Sequence, residues 1–239
     1  MCFDLDSLPP VPVIRGAAVS HRRLELETAD GNLFAAFEAL PDESGAAAVV
    51  VLPDVRGLYR FYEELALRFA ERGVGAVAID YFGRTAGVDT RGDDFEYRTH
   101  VEETTPEGVQ ADVAAAVAHL RGQGYEAIFT VGFCFGGRNS WLAAAAGHGL
   151  AGAVGFYGRP IDASTIEAPI LALMGGADQG IPREDAEAFD EALGSAGVEH
   201  EVVIYDGAPH SFFDRKQEEF AEASEDAWRR TLEFVERHS

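Results

Sequence analysis

Cysteine and lysine are scarce in this chain of 239 residues, which contains two cysteines, Cys2 and Cys134, and one lysine, Lys216. Two cysteines, one of them at the extreme N-terminus, do not make the disulfide framework that stabilises small secreted proteins. The N-terminus is acidic and lacks the basic flank and apolar stretch of a signal peptide. We therefore expect a cytoplasmic protein in which Cys134 is reduced.

Long apolar runs and positive charge are also lacking. No apolar run approaches the roughly 20 residues that a membrane-spanning helix requires. The net charge of −22 disfavours nucleic acids and anionic membranes as partners, because both need basic surfaces. Of the 19 lysine and arginine residues, all but one are arginine. Codon usage and a soluble acidic surface are sufficient to explain this preference. An arginine inside a cleft of such an acidic protein, however, is suited to hold an anion.

Apolar segments and helical segments alternate along most of the chain, which predicts an α/β fold with a mostly parallel sheet and helices on both faces. The N-terminal segment reads as an antiparallel hairpin at one edge, with a turn at Asp30-Gly31. Predicted strands cover 21–30, 32–40, 46–53, 74–80, 126–131, 152–157, 168–174 and 199–205. Predicted helices cover 60–73, 106–121, about 137–147, 183–195 and about 216–237.

One segment, 83–105, has no clear hydrophobic period. A loop of this length in a compact domain is uncommon and is usually functional or mobile. We expect it to form a wall or lid over the functional site. The whole chain, 1–239, is otherwise expected to be a single domain.

Three reactive side chains follow three different predicted strands. Cys134 lies in "VGFCFGGR", Asp178 in "GADQGIP" and His210 in "DGAPHSF". Open parallel sheets bind ligands at the carboxyl ends of their strands, so these side chains are expected to meet there. The order nucleophile, acid, histidine is that of the α/β-hydrolase triad.

Each side chain has a distinct chemical role in this hypothesis. Cys134 is expected on a strained strand-to-helix turn, at a helix N-terminus that favours the thiolate. His210 is the predicted general base and acid, and Asp178 fixes its tautomer and stabilises its cation. The backbone N–H groups of Phe135 and Val55 are the predicted oxyanion hole.

Each motif alone also has a structural explanation. Cys134 can be a small apolar residue in a glycine-rich bend, Asp178 can cap the helix after Pro182, and His210 can be a solvated loop residue. The combination favours the triad, because three separate strand ends must each carry the required residue type in the required order.

"GFCFGG", "GGADQGIP" and "YDGAPHSFFD" resemble the dienelactone hydrolase family over about residues 20–237. The resemblance implies an α/β-hydrolase fold, a Cys-Asp-His triad, no metal and no organic cofactor. It implies a small-molecule substrate, since the family hydrolyses the enol-lactone carboxylate dienelactone to maleylacetate. Monomers are common in the family, so a monomer or weak homo-oligomer is expected.

Four further residues match positions of the family. Asp54 stands where well-studied members have a glutamate that pairs with the resting thiol, and it is one methylene shorter. Arg84 matches an arginine that holds the substrate carboxylate. Arg215 is the candidate for the second such arginine, displaced by one extra residue. Tyr157 matches a tyrosine that lines the pocket. Each of the four also fits an ordinary structural or surface role.

Other functions remain open at this point. A broad carboxylesterase acting on neutral activated esters would use the same triad. A non-catalytic ligand-binding or sensor protein could keep the fold, although a complete triad argues against it. A redox-sensing role for Cys134 leaves the acid and the histidine unexplained and lacks a nearby resolving cysteine.

Overall fold

The computed structural model describes residues 3–4, 6–17, 19–43, 45–92 and 94–239. Within these ranges the chain forms eight strands that belong to one sheet. The strands are β1 (Val19–Glu27), β2 (Leu33–Pro41), β3 (Ala47–Leu52), β4 (Gly75–Ile79), β5 (Ala127–Phe133), β6 (Gly152–Phe156), β7 (Ile170–Gly175) and β8 (His200–Tyr205).

The strand order is β1-β2-β4-β3-β5-β6-β7-β8. β1 pairs with β2, and β2 pairs with β4, in antiparallel fashion. All other neighbouring strands are parallel. The predicted mostly parallel sheet with an antiparallel N-terminal hairpin at one edge is therefore confirmed.

Seven α-helices accompany the strands in the described part of the chain. They are α1 (Arg60–Ala70), α2 (Gly83–Ala86), α3 (Tyr97–Glu103), α4 (Pro106–Gly122), α5 (Phe135–Ala144), α6 (Arg183–Ala196) and α7 (Ala221–Arg237). None of them combines the length and the apolar character needed to cross a membrane.

The central strands are buried on both sides because their side chains alternate between two cores. Val49 and Val51 of β3 belong to a cluster that includes residues of α1 and α7. Val50 and Leu52 point the other way, into a cluster that includes the apolar face of α4. This period of two explains why the strand reads as a continuous apolar run.

The last helix begins at Ala221, five residues later than predicted. The cause is a turn at Asp214, whose side chain accepts a hydrogen bond from the Lys216 amide at 3.1 Å. The Asp214 carbonyl also accepts from the Gln217 amide at 2.9 Å. A carboxylate that bonds to the backbone two residues later favours a turn over a helix.

The segment 83–105 is not a continuous irregular loop, because it contains the short helices α2 and α3. A buried ion pair anchors it: Arg91 Nη2 lies 2.7 Å from Asp80 Oδ2, and both side chains are nearly inaccessible to solvent. Arg91 also donates to the carbonyls of Ala86 and Gly87. This charge pair and isolated apolar side chains such as Phe95 and Val101, which pack against the core, fix the segment, so its sequence shows no period.

The junction of β5 and α5 is closely packed at Gly136. A Cβ atom on Gly136 would lie 2.1 Å from the carbonyl oxygen of Leu52, a backbone atom that cannot move aside. Gly122, at the exposed end of α4, has open space around the same position.

Gly136→Ala is expected to lower the free energy of unfolding by about 3 kcal/mol or more, because the added methyl group overpacks the junction. Gly122→Ala is the matched control and should change stability by less than about 1 kcal/mol. Urea denaturation of both variants measures the difference. Equal stabilities would show that the junction tolerates a side chain and is not closely packed.

Candidate active site

Cys134 occupies the sharp turn between β5 and α5. Its backbone has φ 56° and ψ −111°, a conformation that side-chain-bearing residues rarely adopt, and it precedes the first residue of α5. Its amide donates to the Phe156 carbonyl at 3.0 Å. Such backbone strain costs about 1–3 kcal/mol and persists only where the surrounding structure enforces it.

His210 and Asp178 form a short hydrogen bond at neighbouring strand ends. His210 Nδ1 lies 2.5 Å from Asp178 Oδ2. The other oxygen of Asp178 accepts from the amides of Gly180 at 2.8 Å and Ile181 at 3.1 Å. Since Asp178 follows β7 and His210 follows β8, the parallel pairing of these strands brings the two side chains together.

The environment of Asp178 keeps its carboxylate ionised. Burial by itself raises the pKa of Asp178, but the hydrogen bond and charge of His210 and the two backbone donors outweigh it, so the pKa lies below its ordinary value. With an ionised partner, the Nδ1 atom of His210 carries the proton. The Nε2 atom of the neutral ring is then left as a proton acceptor.

Cys134 and His210 line the same cavity, which has a volume of about 250 Å³. Among its described lining residues, two are arginines and none is a carboxylate. The lining residues are Val55, Cys134, Phe135, Arg138, Tyr157, Arg159, Gly180, Ile181 and His210.

The two predicted oxyanion donors border this cavity. Phe135 is the first residue of α5, so its amide has no acceptor within the helix. Val55 comes two residues after Pro53 in the loop that follows β3. Both residues therefore lie at the cavity that Cys134 lines.

Tyr157 forms the wall behind the histidine. It follows β6, is 1% exposed and has a positive φ of 37°. Its ring centroid lies 4.9 Å from that of His210. The tyrosine therefore limits the positions that the imidazole can take.

Asp54 is buried in the loop before Val55 and both of its carboxylate oxygens have donors. Oδ1 accepts from the Arg56 amide at 2.9 Å, and Oδ2 accepts from the Tyr59 hydroxyl at 3.1 Å. Burial raises the pKa of Asp54 to about 6, although these hydrogen bonds oppose the shift. A carboxylate in this environment titrates near neutral pH.

The resemblance led us to expect Arg84 at the cavity, but the structure does not place it there. Its Nη1 lies 2.7 Å from Asp30 Oδ2, and its Nη2 lies 3.5 Å from Asp112 Oδ1. Two carboxylates of the fold therefore satisfy this guanidinium, which connects α2 to the hairpin turn and to α4.

Arg215 is also outside the cavity lining. Its side chain is exposed, its amide donates to the Leu8 carbonyl at 3.0 Å, and its Nη2 donates to the Pro9 carbonyl at 3.3 Å. The turn at Asp214 directs this part of the chain towards the N-terminal segment, because the Asp214 side chain is bonded to Ser7.

Sequence reasoning missed the two arginines that do line the cavity. Arg138 lies one helical turn after Cys134, and its amide donates to the Cys134 carbonyl at 3.2 Å. Its place just after the glycines of the turn is also typical of a helix-start residue with structural bonds, and its Nη1 does donate to the Pro160 carbonyl at 2.9 Å. Arg159 follows Tyr157 by two residues, and that spacing was the available signal.

Close backbone packing brings these two arginines to one wall. A Cβ atom on Gly158 would lie 2.7 Å from the amide nitrogen of Arg138. Because Gly158 has no side chain, the loop that carries Arg159 can rest directly on the first turn of α5.

The segment 83–105 lies beside β1 rather than over the cavity. Arg23 of β1 donates to Thr90 Oγ1 at 2.8 Å, and no described residue of the segment is in the cavity lining. Within the described ranges, no three His, Cys, Asp or Glu side chains are grouped so that they could hold a metal ion. A small ligand that reaches Cys134 and His210 would contact the residues that line this cavity.

The strand order, together with the turn that carries Cys134 from β5 into α5, defines an α/β-hydrolase fold. Within that class, residues 34–239 match the model of the dienelactone hydrolase family, and the chain belongs to this family. The match confirms the resemblance found in the sequence motifs.

Curated relatives agree with this assignment. The chain is 29% identical to the carboxymethylenebutenolidase of Rhodococcus opacus, over all of this chain and 97% of the relative. It is 28% identical to the carboxymethylenebutenolidase of Pseudomonas putida, over 79% of this chain and 84% of the relative.

A solved structure with the same fold is the dienelactone hydrolase-like promiscuous phosphotriesterase P91 from metagenomic libraries. The TM-score is 0.77 at 22% identity, over 92% of this chain and 98% of that chain. At this identity the likeness concerns the fold alone.

Asp178→Asn is expected to lower the turnover number for ester hydrolysis by about 10²- to 10⁴-fold, because an amide no longer fixes the histidine tautomer or stabilises its cation. Asp190→Asn is the matched control, since Asp190 lies 3.3 Å from His200 in an exposed Asp–His pair. Steady-state kinetics on p-nitrophenyl acetate measure both variants. Full activity of Asp178→Asn would exclude a catalytic role for the buried pair.

Proposed function

We propose that this protein hydrolyses an enol-lactone or an activated ester through Cys134, His210 and Asp178, with an acyl-thioester intermediate. The observation that carries the proposal is the 2.5 Å bond between His210 and the buried Asp178, next to a cavity that both Cys134 and His210 line. Membership of the dienelactone hydrolase family supports the same chemistry.

In the acylation step, His210 Nε2 takes the proton from the Cys134 thiol. The thiolate attacks the carbonyl carbon, and the Phe135 and Val55 amides stabilise the oxyanion that forms. The tetrahedral intermediate collapses, its bond to the leaving oxygen breaks, and His210 returns the proton to the leaving group. In a lactone the leaving group remains tethered to the acyl chain.

In the deacylation step, a water molecule attacks the thioester carbonyl while His210 takes one of its protons. The C–S bond then breaks, the carboxylic acid leaves, and the proton returns to the sulfur. Asp178 stays ionised throughout and stabilises the imidazolium that forms in each half-reaction.

The leaving group determines which esters react well. A thiolate expels an alkoxide poorly, because the alkoxide is the more basic of the two groups bound to the tetrahedral carbon. Enolates and phenolates are stabilised anions and leave readily. This chemistry favours enol-lactones and activated esters over simple alkyl esters.

We also propose that Asp54 is the partner of the resting Cys134 thiol and takes the place of the family's glutamate. Its pKa of about 6 suits a group that gains and loses a proton near neutral pH. The bonds from Arg56 and Tyr59 hold it in the loop that carries Val55, so it also shapes the proposed oxyanion hole.

Arg138 and Arg159 are the residues that we expect to hold an anionic group of the substrate. Neither lies within 4.0 Å of a carboxylate in the described part of the chain, and the cavity that they line contains no acidic side chain there. In a protein with a net charge of −22, this wall is a local region where an anion is favoured. Guanidinium groups also match carboxylate geometry.

A broad carboxylesterase is the alternative within the same chemistry. Val55, Phe135, Tyr157 and Ile181 give the cavity a largely apolar lining, which also suits neutral activated esters. Loss of Arg138 or Arg159 should impair hydrolysis of an anionic substrate but not of a neutral ester, which distinguishes the two substrate classes.

Cys134→Ala is expected to reduce hydrolysis of p-nitrophenyl acetate at least about a thousandfold, because the nucleophile is lost. Cys2, which lies outside the described residues, provides the control: Cys2→Ala should keep full activity and the sensitivity to iodoacetamide. The wild-type enzyme should hydrolyse ethyl butyrate far more slowly than p-nitrophenyl acetate. Activity retained by Cys134→Ala, or equal rates on the two esters, would contradict the mechanism.

Arg138→Gln and Arg159→Gln are each expected to reduce the preference for an anionic substrate about tenfold, since a charged hydrogen bond contributes about 1.5–3 kcal/mol. The measurement is the ratio of kcat/KM for the p-nitrophenyl monoester of succinic acid to that for p-nitrophenyl acetate. Arg215→Gln, outside the cavity, is the control. An unchanged ratio in both cavity variants would favour the neutral esterase.

A further inference from the structure

Several described residues near the N-terminus are buried although they precede the match to the family model, which begins at residue 34. Phe3 is 2% exposed, Ser7 is inaccessible to solvent and Val11 is 2% exposed. We call the described residues 3–4 and 6–11 the N-terminal strap. Burial of both apolar and polar side chains shows that the strap is packed into the domain.

The strap is bonded to the loop that carries His210, here called the histidine loop (residues 206–216). Ser7 Oγ donates to Asp214 Oδ2 at 2.6 Å, and both side chains are buried. One residue later on each side, the Arg215 amide donates to the Leu8 carbonyl at 3.0 Å. The strap thus fixes the loop only four residues after His210.

The histidine loop has little freedom between these points. Ser211 has a positive φ of 60°, and Phe212 and Phe213 are fully buried. The Asp214 amide donates to the Phe212 carbonyl at 2.9 Å. A displacement of Asp214 is therefore transmitted along a short, constrained segment to His210.

A second route runs through aromatic rings. Phe3 stacks on Phe61 with ring centroids 4.0 Å apart, and it meets Tyr157 edge-on at 6.3 Å. Tyr157 in turn lies against the ring of His210 at 4.9 Å. The strap is thus also linked to the imidazole through the ring of Tyr157.

Charge reinforces the contact at the surface. Lys216, the only lysine of the chain, pairs with Asp4 at 3.5 Å and with Asp6. These groups are exposed, so the pairs contribute little energy and are screened by salt. The buried contacts of Ser7 and Phe3 are the stronger part of the attachment.

We propose that the N-terminal strap positions the catalytic histidine, with Ser7 and Phe3 as positioning residues that hold His210 against Asp178 and Tyr157. This inference rests on the proposed function of His210. Without the Ser7 hydroxyl, one oxygen of the buried Asp214 loses its donor, and a small shift of Asp214, passed along the constrained segment to His210, relieves the cost of that unpaired oxygen. Movement of the loop misaligns the imidazole with respect to the Cys134 thiol.

Ser7→Ala should lower kcat for p-nitrophenyl acetate about fivefold to tenfold with little change in KM. It should also shift the pH dependence of Cys134 carbamidomethylation by iodoacetamide, which depends on the nearby imidazole and needs no substrate. Thr231→Ala is the matched control, because Thr231 is equally buried and its hydroxyl bonds the Ala227 carbonyl at 2.8 Å within α7. It should lose comparable stability while kcat and the alkylation profile stay as in the wild type.

If Ser7→Ala loses stability like Thr231→Ala but keeps the wild-type kcat and alkylation profile, the strap is merely structural and the inference is wrong. Phe3→Leu tests the aromatic route in the same two assays and serves if Ser7→Ala does not fold. If the wild type hydrolyses no ester, the proposed function fails. The alkylation profile then still decides whether the strap acts on the histidine.

Discussion

The backbone bend at Cys134 is the constraint on which the rest of the site depends. The bend places a side-chain-bearing residue at φ 56°, and it depends on two glycines. Gly136 lets the start of α5 lie against the end of β3, and a Cβ atom on Gly132 would lie 1.9 Å from the Gly136 carbonyl oxygen. The same contact sets the Phe135 amide beside the loop of Val55 and places Arg138 one turn into the helix. The proposed nucleophile, the proposed oxyanion donor Phe135 and one cavity arginine therefore depend on the same local packing.

The charge pattern around this bend is opposite to that of the whole molecule. Carboxylates near the site are buried, and their oxygens are bonded within the fold: Asp178 to His210, and Asp54 to its own loop. The cavity wall instead presents two arginines. In the proposed mechanism, one ionised carboxylate supports the histidine from behind while the cavity itself remains favourable for an anion.

The sequence predicted those features that depend on neighbouring residues in the chain, and it did not predict those that depend on distant contacts. Apolar runs identified the strands because a parallel sheet buried on both faces needs them, and the strand ends identified Cys134, Asp178 and His210 as neighbours. Arg84 and Arg215 could not be placed, because their positions depend on distant partners, Asp30 and Asp112 for one and the N-terminal strap for the other. The helices within 83–105 were missed because the segment has no apolar period: the buried Arg91–Asp80 pair holds its first part, and single side chains such as Phe95 and Val101 pack against the core.

In the proposed mechanism Cys134 carries the acyl group during hydrolysis, and trapping of that intermediate decides whether it does. Wild-type protein mixed with a saturating concentration of p-nitrophenyl acetate and quenched in acid during turnover should yield intact protein heavier by one acetyl group, because p-nitrophenolate leaves readily and hydrolysis of the thioester is then the slower step. Peptide mapping should place the acetyl group on Cys134, and hydroxylamine should release it as expected for a thioester. An acetyl group on a residue other than Cys134, or wild-type turnover by the Cys134→Ala variant in a parallel assay, would show that Cys134 does not carry the acyl group.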